Sequence, residues 1–61
     1  MKQYYKDFYG CTASITQHST GESTLVIRSS AGKTIKKSKH KTFNAARSAM
    51  YRTSDGWHKT N

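Results

Sequence analysis

The sequence predicts an α+β domain, a three-stranded antiparallel sheet packed on one C-terminal helix, and three observations lead there. Apolar residues alternate with period two through residues 9–17 and 23–29. After Thr42 the period lengthens to about three and a half, as on one side of a helix. Between these stretches lie glycines and small polar residues, with no proline, no internal repeat and no linker. A chain of 61 residues forms one domain, 1–61. At that size only about 60% of the unfolded surface is buried, so the core has to be small.

The N-terminal segment MKQYYKDFY permits two readings: Tyr4 and Phe8 share a helical face, or Tyr5 and Tyr9 extend the first strand. From Tyr9 to Gln17, Tyr9, Cys11, Ala13 and Ile15 fall on one face and Thr12, Ser14 and Thr16 on the other, the pattern of a half-buried strand. His18–Glu22 reads as a turn. Ser23–Ser29 alternates again, with Leu25 and Ile27 inward and Thr24 and Val26 outward. Ser30–Lys33 follows as a hairpin whose Gly32 takes positive φ.

The third strand lies in GKTIKKSKHKTF, residues 32–43, which sets five lysines and a histidine around one isoleucine. With Ile35 pointed at the helix, Lys37 and Lys39 fall on its side, and Lys36, Ser38 and His40 face out. Lysine stems snorkel past a sheet edge, so both sets reach solvent. The helix runs from about Phe43 to Ser54, capped by Thr42 or Asn44 and ended at Ser54-Asp-Gly56, with Gly56 in the left-handed position and Trp57 in apolar contact after it. The expected core is Cys11, Ala13, Ile15, Leu25, Ile27, Ile35, Phe43, Ala46, Ala49, Met50 and Trp57. So thin a core leaves a homodimer, covering the outer sheet face at Thr24 and Val26, among the expectations.

Charge carries the functional signal. Eleven Lys and Arg against three Asp and Glu give a formal charge of +8, and from Ser23 to Ser54 there is no acidic residue. The cations of that stretch are Arg28, Lys33, Lys36, Lys37, Lys39, Lys41, Arg47 and Arg52. Lysines on an edge strand also block edge-to-edge aggregation, but one or two suffice for that. The excess favours phosphate contact, so these eight are the expected nucleic-acid-binding residues, holding the backbone with little sequence preference. Tyr4, Tyr5, Phe8 and Tyr9 could serve as stacking platforms for bases or complete the core, the latter being the commoner use; Tyr51 and Trp57 read as packing residues.

Other chemistry finds little support. Cys11, His18, His40 and His58 lack the paired spacings of a metal site, and no nucleophile and base pair or glycine-rich phosphate loop is recognisable, so neither enzyme activity nor a cofactor is expected. The single cysteine precludes an internal disulfide and suits a reducing, cytoplasmic setting. With no membrane span or signal core, no membrane association is expected.

The Thr42-Phe43 pair closing a strand, followed by Ala45, Ala46, Ala49 and Tyr51 on a helix, resembles the end of AP2-type and integrase arm-binding DNA-binding domains. The resemblance covers the last two strands and the helix, and implies DNA binding through a three-stranded sheet. The first strands lack that family's base-contacting arginines and tryptophans, so only backbone binding carries over. Double-stranded RNA-binding domains share a strand-strand-helix ending with lysines, but their first helix has no counterpart here. The type of nucleic acid therefore stays open, with DNA ahead of RNA. In size and composition, and in starting at its own methionine, the chain is also similar to small accessory proteins of phages. That likeness implies an alternative function, a modulator or inhibitor that sets its cations on an acidic host protein surface with Tyr4, Tyr5 or Trp57 as anchors.

Overall fold

The computed structural model describes residues 2–54 and 56–60. Along the chain lie β1 (Lys2–Lys6), β2 (Thr12–Gln17), β3 (Ser23–Arg28), β4 (Thr34–His40), α1 (Phe43–Tyr51) and β5 (His58–Lys59). The fold is α+β with one helix and an antiparallel sheet, but the sheet has five strands rather than three, in the order β4-β3-β2-β1-β5. The additional strands are β1, which settles the N-terminal segment as extended, and the short β5. From β4 at one edge the chain crosses one face as α1 and returns beside β1 at the other edge.

Three hairpins build the meander, and they share one geometry. At each, the residue opening the turn donates its N–H to the carbonyl four residues on: Asp7 to Cys11 at 3.1 Å, His18 to Glu22 at 2.8 Å and Ser29 to Lys33 at 2.8 Å. The fourth residue is glycine each time, with φ of 87° at Gly10, 92° at Gly21 and 86° at Gly32. Such three-residue loops end in a left-handed residue, where any Cβ is strained. In the first turn the buried Asp7 carboxylate adds a brace, accepting from the N–H groups of Tyr9 and Cys11 at 2.9 Å each. The first strand of the expected sheet therefore starts at Thr12, and Tyr9 projects from the turn, 80% exposed.

Cross-strand register sets what faces the helix. Tyr5, Ala13 and Ile27 form one row, and Ile15 and Leu25 the next, both beneath Ala46 and Met50 of α1. Trp57 closes the core, with Cys11, Phe43 and Ala49 packed on its margin. Tyr5 thus fills a place expected of Ile35, which is 59% exposed. The cause is a register shift between Ile27 and Arg28: Arg28 pairs with Thr34 and Ile27 with Lys36, leaving Ile35 as an extra residue on β4. The slip reverses the expected facing of that strand. Lys36, Ser38 and His40 line up with Ile27, Leu25 and Ser23 on the helix side, and Lys37 and Lys39 with Val26 and Thr24 on the outer side.

Helix α1 begins as expected, Thr42 capping it by accepting from the Ala45 N–H at 3.1 Å. It ends earlier than expected, at Tyr51, and without a left-handed glycine. Instead the Thr53 N–H and hydroxyl both donate to the Met50 carbonyl, at 3.0 and 2.6 Å, and the Trp57 indole donates to Thr53 Oγ1 at 3.2 Å. Thr53 satisfies the carbonyl that the glycine motif would have served. A Cβ at Gly56 would stand 2.6 Å from the Phe8 ring, so a larger residue there would have to displace that exposed ring. Asp55 lies outside the described residues.

Candidate nucleic-acid interface

The helix covers one face of the sheet and leaves the other open. On that outer face the register produces three rows: Lys6, Thr12, Arg28 and Thr34; Tyr4, Ser14, Val26 and Lys37; Lys2, Thr16, Thr24 and Lys39. Every row holds a cation on β3 or β4, two have a second lysine on β1, and none holds an acid. Hydroxyl side chains fill most of the middle. Tyr4, Lys6, Thr12, Ser14, Val26 and Arg28 help to line a shallow concavity of about 550 Å³ over β1, β2 and β3. Lys2 Nζ lies 5.3 Å from the centroid of the Tyr4 ring, a cation over a π face.

Among the described residues no acid lies on this surface. Asp7 is buried and engaged by two N–H groups, and Glu22 sits in the β2–β3 turn, where it accepts from the Thr20 hydroxyl at 3.5 Å. The five cations Lys2, Lys6, Arg28, Lys37 and Lys39 are all exposed and share one sign across one face. Such a surface concentrates an anionic ligand.

Of the eight cations expected from the sequence, three fall on this face: Arg28, Lys37 and Lys39. Lys36 belongs to the helix-side row at the exposed β4 edge, Lys33 to the β3–β4 turn, and Lys41 to the link between β4 and α1. Arg47 and Arg52 are on the helix side, the former 5.6 Å from the Tyr51 ring centroid. The structure therefore does not gather the eight into one surface. Two cations of the outer face, Lys2 and Lys6, were not among them. Their signal was the period-two spacing of Lys2, Tyr4 and Lys6 against Gln3, Tyr5 and Asp7, legible once the segment is known to be a strand.

Behind the sheet, burial pushes the Tyr5 hydroxyl above its ordinary pKa, the Arg47 charge opposes that shift, and Tyr51 reinforces it. Among the described residues no group of three or more His, Cys, Asp or Glu is placed to hold a metal ion, and no helix is long and apolar enough to cross a membrane. Fold and site together define a small α+β domain with one basic, hydroxyl-rich sheet face left open. No family model, curated protein or solved structure matches the chain.

Proposed function

We propose that the outer sheet face binds nucleic acid through its phosphates, with little sequence preference. The observation that carries this reading is the composition of the three outer rows, which hold five cations, several hydroxyls and no acid. Phosphates accept from lysine, arginine and hydroxyl donors alike, and contacts of that kind fix the strand without reading bases. The same charge argues against a second copy on this face, because two identical basic surfaces would repel.

Salt dependence tests the reading. If the five cations each meet one phosphate, the log-log slope of affinity against salt on duplex DNA is about −4.5. Replacing Arg28, Lys37 and Lys39 together with glutamine makes it shallower by about 2.7, while Arg47→Gln with Arg52→Gln leaves it unchanged. Equal loss from both sets would remove the sheet face from the binding reaction.

A second reading, docking on a host protein, draws on the β1–β2 turn, where Phe8 and Tyr9 are 83% and 80% exposed. Exposed aromatics anchor protein interfaces. Tyr5 and Trp57 are buried and unsuited to that role. Phe8→Ser with Tyr9→Ser separates the two readings, since it removes such anchors and spares the basic face.

A further inference from the structure

We infer that the outer face takes single-stranded DNA, with one unpaired base stacked on Tyr4. This rests on the phosphate-binding reading above and adds the form of the ligand. Tyr4 lies on the middle strand position of β1 and is 44% exposed on the solvent side of a sheet whose opposite side is the core. It shares its row with Ser14 and Val26, which are half-buried, and with Lys37 at the far end. A ring so placed adjoins the concavity over β1–β3, whose volume of about 550 Å³ admits a nucleotide.

Around the ring stand the groups that a strand needs. Lys2 and Lys6 flank Tyr4 on β1, Arg28 lines the far side of the concavity on β3, and Lys37 and Lys39 stand beyond it on β4. Neighbouring strands are about 4.8 Å apart, so β1 and β4, three strand spacings from one another, are separated by roughly 14 Å. That places cations on both sides of a stacked base, within reach of the phosphates before and after it. The Lys2 ammonium over the Tyr4 ring occupies the position a base would take. Its flexible stem lets it move aside to the phosphate of the incoming nucleotide. A duplex keeps its bases stacked on one another and cannot use the ring, so the aromatic group discriminates unpaired from paired strands. The hydroxyls of Thr12, Ser14, Thr16 and Thr24 can accept from a ribose 2′-hydroxyl as well as donate to phosphate, so the comparison of oligothymidylate with oligouridylate decides between DNA and RNA.

The experiment compares an oligothymidylate of about 12 nucleotides, an oligouridylate of the same length and a duplex, bound to the full chain by fluorescence anisotropy at fixed salt. Tyr4→Ala should weaken oligothymidylate binding about 5- to 150-fold and leave the duplex unchanged. Tyr4→Phe should retain binding, and Tyr4→Trp should add a tryptophan emission that the oligonucleotide quenches, both on a fold kept by the conservative ring. Unchanged oligothymidylate binding by Tyr4→Ala, or a duplex bound as tightly as the single strand, overturns the stacking assignment. Tighter binding of oligouridylate than oligothymidylate overturns the choice of DNA. The combined Arg28→Gln, Lys37→Gln, Lys39→Gln variant separates the two levels. If it leaves both ligands unaffected, the phosphate-binding reading itself fails; if it weakens both while Tyr4→Ala weakens neither, only the stacked base is lost.

Discussion

Two buried polar side chains show how differently single residues contribute. Asp7 is 6% exposed, and its carboxylate accepts from two backbone N–H groups that shape the first turn. Ser23 is fully buried, and its hydroxyl has no hydrogen-bond partner among the described residues. Hydrogen bonds to a charged group contribute roughly 1.5–3 kcal/mol, so Asp7→Ala should lower unfolding free energy by about that much in urea titration. Ser23→Ala removes an unsatisfied group and should leave stability unchanged or raise it. A Tyr5 hydroxyl raised by burial has a defined consequence for pH. Because the unfolded chain ionises first, its stabilising contribution is complete below the unfolded tyrosine pKa of about 10 and is lost as pH rises through the folded value. Tyr5→Phe should therefore lose less stability than the unsubstituted protein between neutral and strongly alkaline pH, which thermal melts across that range would reveal.

Among the elements, the hairpins are where local chemistry decides the structure most directly. Gly32 has φ of 86° and open space where a Cβ would go, so Gly32→Ala isolates the conformational penalty. It should cost about 1–2 kcal/mol, and Gly32→Asn less, since asparagine tolerates the left-handed region. Urea midpoints would distinguish them. The same glycines were legible as joints, yet their regular spacing at 10, 21 and 32 carried more: it marks three turns of one type in an antiparallel meander. Strands β2 and β3 and the start of α1 followed from periodicity, because Ala13 and Ile15, Leu25 and Ile27, and Ala46 and Met50 each present a clear apolar face. β4 offered a single apolar residue, Ile35, on which to set its phase, and the register shift moved that residue out of line. β5 is only two residues long and owes its pairing to β1, a long-range contact without a local pattern. The eight expected cations scattered for the same reason: their placement depends on register and on the helix crossing, not on adjacency in the chain.

The whole molecule divides its labour between two sides of one sheet. The helix and Trp57 cover the core cluster on one side, leaving the other for cations and hydroxyls. A net charge of +8 on 61 residues destabilises the compact chain by self-repulsion. An anionic ligand on the basic face relieves that repulsion and, by binding only the folded form, raises the melting temperature with its concentration. Backbone amide NMR shifts of the labelled protein, followed during titration with an oligothymidylate at low salt, would map the binding face residue by residue. The largest shifts should cluster at Lys2, Tyr4, Lys6, Ser14, Val26, Arg28, Lys37 and Lys39, while Ala45, Arg47, Ser48 and Arg52 on the helix change little. Shifts concentrated on the helix side, or no saturable shifts at all, would contradict binding at the outer sheet face.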